Sequence, residues 1–201
     1  MENNDRNKSF IADRETKKVL ENIFEFFPDP AFIIDNNGRV LQWNIAIEEM
    51  TGIKKKEIIR KGNFTHSVLF YGEPRPVLAD LVLLEEQERQ KYLSYYENFE
   101  EKGETLYGEV YTKNLYGDQG AYIWAKASPL RDHRKNVIGA IEVLRDITRF
   151  KELEISFRQK EQRLDIVLEN MRDIVGYIDL DGGTTFILCR CRPDVLVKIA
   201  I

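Results

Sequence analysis

Two short β-type segments precede a run of helical segments, and three more β-type segments follow that run. The first two, at 31–35 and 39–43, flank Asn36-Asn37-Gly38, whose residues tolerate the positive φ angles of a tight hairpin turn. Connections this short join antiparallel neighbours. A chain whose strands lie at both ends of a helical stretch is predicted to form an α+β domain with one sheet.

The stretch between the two groups of strands carries helix start and stop signals. Asn44 is predicted to cap a short helix that Gly52 ends, because asparagine accepts first-turn N–H groups and glycine adopts the left-handed conformation. A second short helix is predicted over 54–60, and a longer helix over 85–102 that ends at Gly103.

The second group of β-type segments covers 105–112, 121–130 and 137–145, separated by a turn at 116–120 and a charged loop at 131–136. Together the two groups predict a five-stranded antiparallel sheet with short helices on one face. An amphipathic helix is predicted before the sheet.

The ordered motifs of this chain resemble those of a PAS domain. They are Phe32-Ile33-Ile34-Asp35-Asn36-Asn37-Gly38, Trp43-Asn44, Met50-Thr51-Gly52, Ile138-Gly139 and Arg145-Asp146-Ile147-Thr148. No single motif is specific, but the ordered set is. Two further segments, 71–76 and 124–130, are similar to a subset of PAS domains from multi-sensor histidine kinases. The resemblance implies a five-stranded α+β PAS fold between N- and C-terminal linker helices.

Four segments are predicted along the chain. They are a polar segment with a linker helix (1–19), the PAS domain (20–148), a coiled-coil-like linker helix (149–172) and the truncated start of a second PAS domain (173–201). The last prediction rests on a partial repeat, since 168–171 and 178–182 echo 20–23 and 34–38.

Residues 184–201, with Cys189-Arg190-Cys191, do not continue the repeat, which indicates a truncated or frame-altered end. They are expected to leave an apolar β segment unpaired.

Apolar residues of the C-terminal linker helix alternate at spacings of three and four, as in a coiled-coil seam. The seam has a charged residue, Lys160, at one d position. One interpretation is a weak homodimer through this helix, and the other is an amphipathic helix folded back on its own sheet. The other predicted seam residues are Phe150, Leu153, Phe157, Leu164, Val167 and Met171.

Charge and hydropathy exclude several classes of protein. With 30 Lys+Arg against 34 Asp+Glu, the chain is not a basic nucleic-acid binder working by bulk charge. No apolar run reaches the length of a membrane helix, and no secretory signal is visible. A cytoplasmic setting is predicted, with no nucleic-acid partner and no membrane insertion by this chain.

The resemblance implies a cavity between the sheet and the short helices. Side chains that are candidates to line it are aromatic or ionisable, and Tyr122 and Trp124 are preferred among the aromatics because they share one face of their strand. The candidates are Phe64, His66, Phe70, Tyr71, Tyr107, Tyr122, Trp124, Glu142 and Leu144.

Glu142 is the sharpest of these candidates. Strand alternation puts it on the same face as Leu144, which the resemblance points into the cavity. A buried carboxylate must find a partner or become protonated. It is either a ligand-binding acid or, as we favour, an ion-pair partner of Lys126 or Arg145 or a residue exposed at a sheet edge.

No cofactor is assigned from the sequence. A flavin adduct needs a cysteine inside the domain, and both cysteines lie beyond it. Haem would need an axial histidine. His133 lies in the charged loop and is expected to be solvated. His66 has two interpretations: an axial haem ligand, or, as is more common, a surface or hydrogen-bonded loop histidine.

No phosphoacceptor histidine motif, ATP-binding motif or other catalytic constellation is present, so the chain is predicted not to be an enzyme. The preferred function is a sensory module of a two-component type protein that binds a small ligand or a partner. Asp146, Ile147 and Thr148 would relay the change to a downstream kinase or regulator domain. The alternatives are a ligand-free dimerisation module and a fragment of an active histidine kinase.

Overall fold

The structure is a computed structural model that describes the backbone of residues 2–170, 175–178 and 185–188, and side-chain burial over 14–166. The chain divides into two compact units, Met1–Arg149 and Phe150–Ile201. Among the described helices, none is both long enough and apolar enough to cross a lipid bilayer.

Strands at both ends of the first unit enclose its short helices. The elements are α1 (Glu2–Glu25), β1 (Ala31–Asp35), β2 (Val40–Trp43), α2 (Ile45–Thr51), α3 (Lys55–Ile58), α4 (Thr65–Tyr71), α5 (Leu78–Leu83), α6 (Glu86–Arg89), a 3₁₀ helix (Gln90–Tyr95), β3 (Glu97–Lys102), β4 (Thr105–Thr112), β5 (Ala121–Arg131) and β6 (Val137–Asp146). Helix α7 (Thr148–Asn170) follows.

The sheet of the first unit is antiparallel throughout and has six strands in the order β2-β1-β6-β5-β4-β3. The α+β fold is confirmed, but the prediction of five strands is wrong. The additional strand is β3, which lies inside the segment predicted as a helix over 85–102.

A tight hairpin explains why 97–102 is a strand. Gly103 has a φ of 62°, and the loop it forms with Glu104 lets Lys102 pair with Thr105 and Glu101 with Leu106. The segment is rich in helix-forming glutamate, but pairing with β4 overrides that weak preference. As an edge strand it is mostly charged and exposed, which discourages pairing with other chains.

Asn44 joins the first strands to the first short helix. Its Oδ1 accepts hydrogen bonds from the N–H groups of Ala31 and Ile47, both at 3.0 Å. Its Nδ2 donates to the carbonyl oxygens of Phe27 at 3.2 Å and Asp29 at 2.9 Å. The predicted helix cap is confirmed, and the same side chain ties the end of the preceding segment to the sheet.

The core lies between the helices and the inner face of the sheet. Along β5, Ile123, Ala125 and Ala127 are buried, while Trp124 and Lys126 point to the other face and are more exposed. Large buried side chains from both layers fill the space; they include Phe32, Ile34, Trp43, Ile47, Leu78, Leu81 and Leu106.

The second unit contains a short hairpin. Strand β7 (Val175–Ile178) pairs antiparallel with β8 (Thr185–Leu188). The expectation that this β segment is left unpaired is therefore wrong, because 185–188 supplies its partner. Cys189, Cys191 and the rest of 189–201 lie outside the described residues. The predicted domain boundaries stay predictions.

Gly139 sits where β6 passes closest to β1, paired with Asp35. A Cβ atom on Gly139 would overlap the carbonyl oxygen of Ile34 and lie 3.2 Å from the Cα atom of Asp35. Because backbone atoms cannot rotate away, we expect Gly139→Ala to lower the free energy of unfolding by about 2 kcal/mol or more, measured by urea denaturation.

The matched control is Gly62→Ala. The nearest atom to a Cβ at Gly62 is Cγ of Arg39 at 3.2 Å, and that side chain is flexible. This variant should change the free energy of unfolding by less than about 1 kcal/mol. Equal losses in the two variants would contradict the close approach of β6 to β1.

Candidate functional site

Glu142 lies on the inner face of β6, between Phe32 of β1 and Ala127 of β5, and its side chain is buried. Its Oε2 accepts a hydrogen bond of 2.7 Å from the backbone N–H of Ala79, in the first turn of α5. Burial follows from strand alternation, since this face of the central strand is covered by α5.

The favoured prediction for Glu142, an ion pair or exposure, is wrong. Lys126 is exposed, on the face of the sheet opposite the cavity, and Arg145 pairs instead with Asp29 at 2.7 Å. Within the part of the chain that the structure describes, no basic side chain forms an ion pair with Glu142. The carboxyl group therefore lies in a mostly apolar setting with a backbone N–H as its hydrogen-bond donor.

Burial raises the pKa of Glu142 to about 8, against the opposing effect of the Ala79 hydrogen bond. The nearby carboxyl group of Asp80 raises this pKa further by repulsion. A carboxyl group with such a pKa is mostly protonated at neutral pH, so it can donate a hydrogen bond as well as accept one.

A small cavity adjoins Glu142 and holds about 10 Å³, which is room for about one water molecule. Thr112 is one of its lining residues, and the hydroxyl oxygen of Thr112 is buried and has no hydrogen-bond partner among the described residues. The cavity therefore has a carboxyl group and an unpaired hydroxyl within apolar walls. Its other lining residues are Phe70, Tyr71, Val77, Val110, Ile123, Ala125 and Leu144.

A second buried pair lies next to this cavity. His66, in α4, is completely buried, and its Nε2 lies 3.0 Å from Oδ2 of Asp80. The same oxygen accepts the N–H of Val77 at 3.0 Å, so the hydrogen bond is best read as donated by the imidazole Nε2–H. His66 thus holds Asp80 in place at the start of α5 rather than lining the cavity.

The geometry does not fit haem. The Nε2 atom of His66 is engaged by Asp80, and the neighbouring cavity has the size of one water molecule. Within the described residues, no group of three or more His, Cys, Asp or Glu side chains is arranged to hold a metal ion.

Tyr71 closes one side of the cavity and is held by a cation–π stack. The guanidinium carbon of Arg75 lies 3.4 Å from the Tyr71 ring centroid and 4.2 Å from that of Tyr95. Burial raises the pKa of Tyr71, and it raises the pKa of Tyr96 well above its ordinary value. Both hydroxyl groups therefore stay neutral at physiological pH.

The predicted lining residues divide between the two faces of the sheet. Tyr71, Glu142, Leu144 and the additional candidate Phe70 border the cavity, and their role in binding a ligand stays a prediction. Phe64 instead begins α4 with a left-handed backbone and is partly exposed.

The prediction that aromatic residues of β4 and β5 line the cavity is wrong for Tyr107, Tyr122 and Trp124. They lie on the outer face, where the rings of Tyr107 and Trp124 are 6.0 Å apart. Tyr122 and Trp124 do share one face, but it is the face opposite the cavity. Four lining residues were not among the candidates, although the small and apolar residues 121, 123, 125 and 127 of β5 mark the inner face; they are Val110, Thr112, Ile123 and Ala125.

Asp146, Ile147 and Thr148 form a tight junction between β6 and α7. Asp146 Oδ1 accepts the N–H of Thr148 at 2.8 Å, at the first residue of the helix. The N–H of Ile147 donates to the carbonyl oxygen of Tyr122 at 2.9 Å, and the N–H of Tyr122 donates to Oγ1 of Thr148 at 3.0 Å. The junction is thus hydrogen-bonded to β5.

Tyr116 adds a further contact at this junction. Burial raises the pKa of Tyr116 to about 12, and the carboxylate of Asp146, which the phenol contacts, contributes to the rise. The Asp146 side chain therefore interacts with both the start of α7 and the loop before β5.

Predicted seam residues of α7 expose their side chains. Phe150, Leu153, Phe157 and Leu164 are each more than half exposed, and Lys160 is exposed as well. The side chain of Val167 and the whole of Met171 lie outside the described residues.

Comparison with known proteins gives a family and a fold. A family profile described as "PAS domain" matches residues 28–149. No curated protein matches the chain.

Similar solved structures include the PAS domain of a protein from Colwellia psychrerythraea, with 21% identity, a TM-score of 0.45, and coverage of 67% of this chain and 98% of that one. Another is the PAS domain of Bordetella pertussis BvgS, with 16% identity, a TM-score of 0.44, and coverage of 73% and 98%. A third is an RNA-binding light-oxygen-voltage receptor, with 13% identity, a TM-score of 0.51, and coverage of 73% and 37%.

The buried acid predicts a pH-dependent stability. The pKa of Glu142 is about 8 in the folded chain, against an ordinary value of 4.5, so between these values the folded state binds more protons than the unfolded state. Stability then falls as pH rises through this window, by roughly 1 kcal/mol per pH unit from this group alone. Glu142→Gln should remove that part of the slope.

Urea denaturation at several pH values between about 5 and 8 measures the effect as the difference between wild type and variant. The control is Glu49→Gln, which removes an exposed carboxylate and should keep the wild-type slope. Parallel pH profiles for wild type and Glu142→Gln would show that Glu142 is not ionising in a buried site.

Proposed function

The chain belongs to the PAS domain family, and from that premise we propose that it is a non-catalytic sensory module of a signal-transduction protein. In this proposal a small ligand in the Glu142 cavity biases the packing of β6. The change is passed through Asp146, Ile147 and Thr148 into α7, and from there to a downstream kinase or regulator domain.

The observation that supports this proposal is the position of β6. The strand carries Glu142 and Leu144 at the cavity and, after them, Asp146 at the start of α7. A displacement of the strand at the cavity therefore acts on the residue that caps the helix. Because the junction is also bonded to Tyr122 of β5, it has a defined geometry that a shift of β6 against β5 would alter.

The relay works as a population shift between two packings. A ligand can move such an equilibrium only by its difference in affinity for the two states. A buried acid beside an unpaired hydroxyl supplies such a difference, since an occupant that satisfies both groups stabilises one arrangement of the cavity wall. Differential contacts at Glu142 and Thr112 are the proposed input.

A second candidate is a dimerisation module with a filled core. The observation in its favour is the small cavity, about 10 Å³, together with the exposed apolar residues on α7. In this alternative, α7 joins two copies of the chain and no ligand enters the domain. Both candidate functions are compatible with a homodimer through α7. They differ in whether a ligand occupies the cavity.

Asp146→Ala tests the relay. The variant removes the hydrogen-bond acceptor at the start of α7 and should cost about 1 kcal/mol of stability, which leaves the domain folded. With the full chain fused to a histidine-kinase core, we expect kinase output to lose its dependence on the fused domain. The measurement is autophosphorylation of the fusion, with circular dichroism to check folding.

The control for this test is Asp132→Ala, which removes a similar local cap in an exposed loop. Asp132 Oδ1 accepts the N–H groups of Arg134 and Asn136, both at 2.8 Å. This variant should keep the wild-type output. Wild-type output from the Asp146→Ala fusion would count against a relay through the junction.

The dimer seam is tested by placing charge in it. Leu153→Lys together with Phe157→Lys should weaken self-association at least tenfold, because like charges would face each other across the seam. Analytical ultracentrifugation of the full chain measures the dissociation constant. Gln159→Lys together with Gln162→Lys adds the same two charges off the predicted seam and should have little effect. An unchanged dissociation constant in the double variant would remove α7 as the dimer interface.

A further inference from the structure

The cavity beside Glu142 is unusual in combining strong polarity with very small size. The carboxyl group and the unpaired Thr112 hydroxyl meet in a space of about 10 Å³. Thr112 is 2% exposed, so its hydroxyl is buried. Two aromatic residues, Phe70 and Tyr71, complete the wall. An occupant must be about as small as water and must offer hydrogen-bond donors.

The charges around the cavity favour a cation over an anion. Asp80 is the charged neighbour whose repulsion acts on Glu142, and the imidazole of His66 is directed at Asp80 rather than at the cavity. Arg75 stacks on Tyr71 and does not line the cavity. A small anion would face carboxyl groups and a hydroxyl, whereas a cation would supply the counter-charge that a buried carboxylate needs.

We propose that this cavity binds ammonium or a short alkylammonium ion. The Glu142 carboxylate is its counter-ion, the Thr112 hydroxyl oxygen accepts one of its N–H groups, and the rings of Phe70 and Tyr71 face its positive charge. The inference deepens the sensory function proposed above and rests on it, since the occupant is the ligand of that cavity. Ammonium matches the space of about one water molecule, the methyl group of methylammonium requires a small shift of Tyr71, and longer alkyl groups require a larger one.

Binding of such a cation releases a proton. Glu142 is mostly protonated at neutral pH, with a pKa of about 8, and must ionise to pair with the ligand. The proton leaves to solvent, and the ligand keeps its own proton up to about pH 10, as a lysine side chain does. The other titratable groups around Glu142 are Asp80, Tyr71 and Tyr96; both phenols stay neutral in this range because their pKa values are raised.

The affinity should therefore depend on pH with a defined sign. Below pH 8 each unit of acidification should weaken binding about tenfold, because the proton competes with the cation for Glu142. A neutral ligand that only hydrogen-bonds to the protonated carboxyl group would show no such dependence. The number of protons released separates the two kinds of ligand.

Isothermal titration calorimetry of the full chain with methylammonium chloride tests the inference. The ionic strength is held constant, and titrations are run at about pH 6, 7 and 8 in two buffers that differ in ionisation enthalpy. We expect saturable binding, release of nearly one proton at pH 7, and affinity that rises about tenfold from pH 6 to 7. Potassium chloride and methanol, tested in parallel, should give no saturable heat.

Two variants locate the site. Glu142→Gln keeps the shape of the side chain and should abolish methylammonium binding, while Thr112→Val removes the acceptor hydroxyl and should weaken binding about fivefold. Glu49→Gln, which removes an exposed carboxylate, should bind as wild type. Thermal denaturation confirms that each variant is folded.

Several results would overturn the inference. They are equal binding of potassium, saturable binding of methanol, retention of binding by folded Glu142→Gln, or the absence of any saturable heat with methylammonium. If these occur while Asp146→Ala still uncouples the kinase fusion, the sensory function stands and the ligand class is wrong. If methylammonium binds as expected but Asp146→Ala leaves output intact, the ligand site stands and the relay is wrong.

Discussion

The rest of the structure depends on the pairing of β6 with strands from both ends of the domain. β6 hydrogen-bonds to β1, which is the first strand of the chain, and to β5, which immediately precedes β6 in the chain. A central strand has no freedom to slip, since a shift of one residue would turn Glu142 outward and bring its apolar neighbours to the wrong face. This pairing fixes the floor of the cavity and the position of Asp146, which accepts the N–H of Thr148 at the first residue of α7. Gly139 permits it by letting β1 approach without a side chain between the strands.

Glu142 accepts the backbone N–H of Ala79 at the start of α5, but its burial opposes folding whenever it ionises. A glutamine would keep an acceptor for that N–H without the charge. The hydroxyl of Thr112, which lines the same cavity, is buried and has no hydrogen-bond partner among the described residues. Groups of this kind persist where they serve an interaction that the empty domain does not make. The buried acid and the unpaired Thr112 hydroxyl, rather than the size of the cavity, are the features that support the proposed sensory site.

Much of the fold follows from local patterns, and the errors have identifiable causes. The Asn-Asn-Gly hairpin, the Asn44 cap and the strands at 105–112, 121–131 and 137–146 are all short-range features, and they are confirmed. The helix over 85–102 is predicted because Tyr92, Tyr96 and Phe99 fall at helical spacing before Gly103. The strand conformation of β3 comes instead from an edge pairing that no local signal reports. For the site, alternation correctly grouped Tyr122 with Trp124 and Glu142 with Leu144. The prediction placed Tyr122 and Trp124 on the wrong face of the sheet. The alternation of side chains along a strand shows which residues share a face, but it does not show which face the helices cover.

By itself, the sequence determined five of the six strands of the sheet, the Asn-Asn-Gly turn, the Asn44 cap, and the presence of one carboxyl residue on the Leu144 face of the last strand. Those features depend on contacts within a few residues, where backbone preference and side-chain period decide the outcome. Only the tertiary structure decided that α5 covers this carboxyl group, that Lys126 and Arg145 are directed elsewhere, and that Thr112 meets Glu142 across the cavity. These contacts join residues far apart in the chain, and it is packing between layers that brings them together.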